Sequence, residues 1–167
     1  MTKSKDPIAE ALSNAKDETL AVRAGQVRTH ADEHSEALFL TSSYVFDNCE
    51  DAAARFAGEY ECSVYTRYTN PTVRNFEQRL AALEGAEDCV ATSSGMGAIM
   101  SLCLAQLHSG DHIICSSDVF GSTVVLLNNF FAKFGVDISY VKLTDMTAWR
   151  AAIKDNTRFL FIETPSN

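Results

Sequence analysis

The sequence predicts an α/β fold, with an N-terminal arm leading into part of a large domain built on a mainly parallel sheet. Three observations carry that expectation. From residue 70 onward, strand-like runs alternate with helical segments, the order that produces βαβ units and parallel pairing. Asn-Pro, Gly and Asp residues punctuate the helical segments, in positions where they can cap or stop a helix. Before residue 70 the pattern is irregular, so residues 1–69 are expected to form an arm and 70–167 the first part of the sheet domain.

Taken in order, a polar helix is expected around Pro7–Arg23, then an apolar stretch Leu38–Phe46 and a short helix Glu50–Phe56. Asn70-Pro71 sets an N-cap before a proline at the first helical position, where a missing N–H costs nothing. The helix that follows puts Val73, Phe76, Leu80 and Leu83 on one face, and Gly85 stops it. A strand Asp88–Thr92, a helix Gly95–Leu107 and a strand His112–Ser116 come next. The series closes with a helix Ser122–Phe134, a strand Asp137–Leu143, a helix Thr147–Ile153 capped by Asp145 or Thr144, and a strand Arg158–Glu163. Open sheets of this kind gather their sites at the carboxyl ends of the strands.

Composition narrows the function. Of 167 residues, 46% are hydrophobic and 22% charged, the balance of a globular chain with a real core. No run approaches the roughly 18 apolar residues of a membrane span, and the polar N-terminus lacks a secretory h-region, so a cytoplasmic protein is expected. A net charge of −8 with scattered Lys and Arg argues against nucleic acid as a partner. Five cysteines without a CxxC fit neither a disulfide framework nor zinc. Cys89, Cys103 and Cys115 lie in apolar runs and are expected to be small buried hydrophobes. His30, His34, His108 and His112 show no metal spacing and are expected at the surface.

Three segments offer chemistry. The loop Thr92-Ser93-Ser94-Gly95-Met96-Gly97 joins a strand to a helix, where close backbone approach and free N–H groups suit a phosphate; a plain tight turn is the alternative. A dinucleotide reading of Gly95-Met96-Gly97, with Asp118 as the ribose acid, lacks the third glycine, because Met100 stands there. Tyr65 and Arg67 project to one side of an extended segment, so a phenol and a planar fork meet where an anion could sit; a surface arginine packed on aromatics is the alternative. In Asp118-Val119-Phe120-Gly121-Ser122, the Phe120 ring can lie over a flat cofactor or simply fill core.

The blocks SVYTRYTNPTVRNFEQRLAALEGAE, ATSSGMGAIMS, SDVFGST and FIETPSN, in this order and spacing, resemble the Cys/Met-metabolism family of pyridoxal-phosphate (PLP) enzymes. The likeness covers about Leu20 to Asn167. With TLAVRAGQ at Thr19–Gln26, it is strongest to the branch that works on O-succinylhomoserine with sulfide; cystathionine γ-synthase, cystathionine γ-lyase and methionine γ-lyase activities are the alternatives. The resemblance implies a PLP-dependent transferase fold of type I, like aspartate aminotransferase, with PLP as cofactor. It implies a homo-oligomer, a dimer of dimers, in which the arm makes cross-subunit contacts.

Carried over by position, Ser94, Gly95 and Met96 would hold the PLP phosphate, and Tyr65 and Arg67 would reach the phosphate of a neighbouring subunit. Phe120, where tyrosine is usual, would stack on the ring, and Asn167 would lie near cofactor and substrate. Gly97 stands where alanine is usual.

The resemblance also implies a Schiff-base lysine and a pyridine-binding acid on later strands. Lys3, Lys5, Lys16, Lys133, Lys142 and Lys154 are expected in the tail (Lys3 and Lys5), in helices (Lys133 and Lys154) and in a strand interior (Lys142), all six as surface charges. The chain is therefore expected to be an N-terminal fragment, inactive alone and without the C-terminal small domain. A non-catalytic truncated or assembly module is the reading from another class.

Overall fold

Asn70 and Gly85 bracket a helix as the sequence requires. In the computed structural model, which describes residues 12, 14–60 and 62–166, Asn70 Oδ1 accepts the Thr72 N–H at 2.8 Å and Gly85 ends the helix with φ 63°. Among the described residues, helices α1 Asp17–Arg23, α2 Cys49–Phe56, α3 Pro71–Glu84 and α4 Gly95–Gln106 precede the first strand. Of the helix expected around Pro7–Arg23, residues 7–11 and 13 lie outside the described residues. The chain divides into two compact units between Ala91 and Thr92, so α3 clusters with the arm, and the division falls later than the composition shift at residue 70.

In the N-terminal unit, the chain after α1 lies directly on α3. Arg79 Nε donates to the Ala24 carbonyl at 3.0 Å, and Arg79 also pairs with Glu36. Gly25 has φ +76°, and a Cβ there would come within 2.7 Å of the Asn75 carbonyl oxygen. Only glycine allows both that conformation and that approach. The face of α3 expected to be buried is open among the described residues: Val73, Phe76 and Leu83 are exposed and Leu80 is partly buried. Residues 88–92, expected as a strand, run without regular structure and have no ladder partner among the described residues. Local alternation specifies an extended chain, not a neighbour to pair with.

The C-terminal unit is a parallel sheet covered on both faces. Strands β1 His112–Ser116, β2 Asp137–Val141 and β3 Thr157–Phe161 lie in the order β2-β1-β3. Central β1 is buried along its whole length, as its nearly continuous apolar sequence requires of a strand covered on both faces. Ile113 and Cys115 pack with Cys103 of α4 and with Leu127 of α5 Gly121–Asn129. Ile114 packs instead with Val141 and with Trp149 of α6 Met146–Ala152. Asp145, one of the two expected caps, accepts the Ala148 N–H at 2.9 Å.

The helix expected over Ser122–Phe134 breaks at Phe130 into α5 and a 3₁₀ turn, Phe131–Phe134. The phenylalanines continue the apolar pattern through the break, so periodicity cannot register it. Lys142 corrects another expectation: it stands just past the end of β2, not within a strand, and Lys154 follows α6 in a loop, paired with Asp137.

Cys103 and Cys115 are core residues, and burial pushes the Cys115 thiol up to about 11. Cys89 is only partly buried. His112, expected at the surface, is completely buried. Its Nδ1 lies 2.7 Å from Thr157 Oγ1 and its Nε2 2.9 Å from Ser139 Oγ. Thr157 Oγ1 already accepts the Lys154 N–H at 2.8 Å. The threonine proton is therefore best used toward Nδ1, which makes Nε2 the protonated nitrogen and ties all three strands through one neutral imidazole.

Candidate functional site

The first turn of α4 leaves hydrogen-bond donors open. Ser94, its N-cap, accepts the Gly97 N–H on Oγ at 3.0 Å, and its carbonyl accepts the Ala98 N–H. The N–H groups of Gly95 and Met96 have no acceptor among the described residues. Two donors at the positive end of a helix thus stand open, with the Ser94 hydroxyl proton beside them. Gly97 permits this arrangement, since a Cβ there would sit 3.2 Å from Ser94 Oγ.

The neighbouring loop lies at the carboxyl end of β1. Phe120 is 44% exposed, so its ring is not core, and that alternative from the sequence falls away. The first turns of α4 and α5 meet where the buried Thr123 points its hydroxyl at Met96 Sδ, 4.0 Å away. This contact joins the first turns of the two helices, and Phe120 is the N-cap of α5. Two carboxylates shape the loop: Asp118 Oδ2 accepts the Leu143 N–H at 3.2 Å and Glu163 Oε2 accepts the Phe120 N–H at 3.0 Å. The sequence reading gave Glu163 no role, although a carboxylate at a strand's carboxyl end lies where such sheets place their sites.

Tyr65 and Arg67 belong to the N-terminal unit and are described with it. Ser43 forms an antiparallel bridge with Tyr65, the Thr66 N–H donates to the Ser42 carbonyl at 2.9 Å, and Asn70 Nδ2 donates to the Phe39 carbonyl at 3.0 Å. The Tyr68 and Thr69 N–H groups both donate to the Tyr65 carbonyl, at 2.9 and 3.0 Å, so residues 66–68 form a turn and not the extended segment expected from the sequence. The Arg67 guanidinium lies between two rings, 4.7 Å from the Tyr65 centroid and 5.5 Å from that of Tyr68. Arg55, Arg74 and Arg79 are each committed to a carboxylate; Arg67 has no ion pair among the described residues. Asn167 lies outside the described residues.

The family described as Cys/Met metabolism PLP-dependent enzyme matches residues 18–167. The chain belongs to that family. Its cofactor is PLP, and the open donors of Gly95 and Met96 fit a phosphate.

Among curated members, an O-succinylhomoserine sulfhydrylase of Pseudomonas aeruginosa is 58% identical, covering 93% of this chain and 39% of the relative. An L-methionine gamma-lyase of Treponema denticola is 36% identical over 87% of this chain and 36% of its own length. The chain thus spans about two-fifths of the length of the curated relatives it matches. The metB structure from Corynebacterium glutamicum superposes with a TM-score of 0.81 at 32% identity, over 92% of this chain and 38% of that one. The metY structure of Campylobacter jejuni, with N'-pyridoxyl-lysine-5'-monophosphate, gives 0.83 at 30% identity over the same shares. The partial α/β unit with its parallel sheet is therefore a piece of the type I fold of PLP enzymes. Among the described residues no helix is long and apolar enough to cross a membrane.

Proposed function

We propose that this chain is the N-terminal part of a cytoplasmic PLP enzyme that performs γ-replacement on O-succinyl-L-homoserine, with sulfide entering and homocysteine leaving. The observation that carries this reading is the open N–H pair of Gly95 and Met96 at the start of α4, whose first turn the Thr123–Met96 contact joins to that of α5, where the exposed Phe120 is the N-cap. The choice of reaction within the family rests on the 58% identity to an O-succinylhomoserine sulfhydrylase, against 36% to a methionine gamma-lyase.

PLP, when bound, supplies an electron sink for the bonds of the amino-acid substrate. The chain's own residues would bind and orient it. Gly95 and Met96 N–H groups and the Ser94 hydroxyl would take the phosphate. Phe120 would lie against the ring and keep water from one face; without a phenol it moves no proton. Tyr65 and Arg67 would complete the phosphate site of a neighbouring copy in a homo-oligomer, a dimer of dimers, and Asn167 would sit near ring and substrate.

The lysine that attaches PLP would lie beyond residue 167. Among the described lysines, Lys142 is the one at the carboxyl end of a strand, and it makes the reading testable. Borohydride reduction of the full-length holoenzyme, followed by peptide mapping, should put the pyridoxyl label outside residues 1–167. A label on Lys142 would overturn the assignment. The full-length protein should form homocysteine from O-succinyl-L-homoserine and sulfide; a protein that binds PLP but releases a 2-oxo acid and ammonia instead would be a lyase.

A further inference from the structure

Phe120 occupies an unusual helix start. It is the N-cap of α5, its side chain caps nothing, and its ring is 44% exposed. Neither packing nor capping therefore fixes the direction in which the ring points. The backbone does so, and it is anchored from both ends of the loop. On one side, the Asp118 N–H donates to the buried Ser116 Oγ at 3.2 Å, while Asp118 Oδ2 accepts the Leu143 N–H. On the other, the Phe120 N–H donates to Glu163 Oε2 at 3.0 Å across 43 residues of sequence.

Glu163 lies two residues past the end of β3 and four before Asn167. Its carboxylate also sits at the positive end of α5, where a negative charge is favoured. That charge leaves the start of α5 unsuited to a phosphate and the open start of α4 suited to one, so the two adjacent helix ends are differentiated.

We propose that Glu163 is a positioning residue: by accepting the Phe120 N–H, it sets the orientation of the ring against the cofactor. The proposal rests on the PLP reading above. It assigns Glu163 no contact with substrate and no proton transfer. Its action runs through one hydrogen bond, and a neutral amide oxygen at the same reach can accept that bond too. Glu163→Gln should therefore preserve the ring's orientation, whereas Glu163→Ala, and Glu163→Asp with its shorter reach, should lose it.

The test uses the full-length holoenzyme at matched PLP occupancy. The visible circular-dichroism band of the bound cofactor reports the asymmetry of its surroundings. It should fall at least twofold in Glu163→Ala and Glu163→Asp, and stay near wild type in Glu163→Gln. In a Phe120→Leu background, Glu163→Ala should change the band little further. Hydrogen exchange of the peptide spanning 117–124 should accelerate in Glu163→Ala while peptides of β1 and β3 keep their protection.

An unchanged band in Glu163→Ala would overturn the proposal. So would Gln failing as badly as Ala, which would make the charge, not the acceptor, the active feature. An equal drop in the Phe120→Leu background would overturn it as well. If the full-length protein takes up no PLP, the cofactor reading fails and the ring's role with it. Exchange at 117–124 would then still report separately whether Glu163 tethers the loop. If Glu163→Ala does not fold, the Gln-against-Asp comparison decides the question alone.

Discussion

The Arg67 guanidinium lies 4.7 Å from the centroid of the Tyr65 ring, and no carboxylate among the described residues competes for it. Cation–π contacts on two sides preorganise the fork without neutralising it. Arg67→Ala in the full-length protein should therefore weaken PLP retention by roughly tenfold to a hundredfold, the effect of losing about 1.5–3 kcal/mol of charge-assisted hydrogen bonding. The location of the effect is the sharper measurement. Hybrid dimers of Arg67→Ala with a variant lacking the PLP-attaching lysine should partly recover activity if Arg67 serves the neighbour, because one site is then intact. Hybrids that form and stay inactive would contradict the cross-subunit role.

His112 makes stability pH-dependent near neutrality. Burial holds its pKa below the ordinary value near 6.5, the Lys154 ammonium adds to this, and Asp137 opposes it. Because the folded pKa is depressed, the stabilisation is complete above about 6.5, the unfolded value, and is lost as pH falls toward the folded value. Protonation would also put a second donor on Thr157 Oγ1, which already accepts the Lys154 N–H. The urea midpoint of the full-length protein should fall between pH 7 and 5, and fall less in His112→Gln. Equal slopes would show that His112 is not the responsible group.

Gly97 offers a local test of the α4 start. Alanine there should gain about 0.5–1 kcal/mol of helix propensity, less the cost of moving Ser94 Oγ a few tenths of an ångström from the 3.2 Å contact. Ser94→Ala should cost about 1 kcal/mol by removing the N-cap. Thermal unfolding of the two variants of the full-length protein should therefore shift in opposite directions. PLP retention should suffer in Ser94→Ala, where a hydroxyl donor is lost as well.

The sequence made legible whatever depends on local chemistry. β1 begins and ends where expected, and Asn70, Gly85 and Asp145 cap and stop their helices as their side chains and backbone freedom dictate. Ser94 was readable as the start of α4 because a capping hydroxyl before Gly95 is a local feature. Long-range relations were not readable. The Phe120–Glu163 bond spans 43 residues, the His112 triad spans three strands, and 88–92 carries no signal of what pairs with it. The exposed Val73 and Phe76 show the same limit: helical spacing identifies an apolar stripe but not what covers it.

That stripe sets the last expectation. Val73, Phe76 and Leu83 on α3 are exposed, as are Val90, Leu160 and Ile162 farther along the chain. β2 and β3 each lack a second neighbour among the described residues, and an unpaired strand edge is a template for intermolecular pairing. The isolated 167-residue chain should therefore aggregate or unfold without a sharp cooperative transition, and should show no γ-replacement turnover. Thiol labelling gives a graded readout. Cys103 and Cys115 are buried, with both thiols pushed up by burial, so in a well-packed chain they should react only on unfolding. Labelling of both in native buffer as fast as exposed Cys49 would show a loosened core. Protection of both, with a monomeric profile and one sharp thermal transition, would show that the two units stand alone and that the open edges are tolerated.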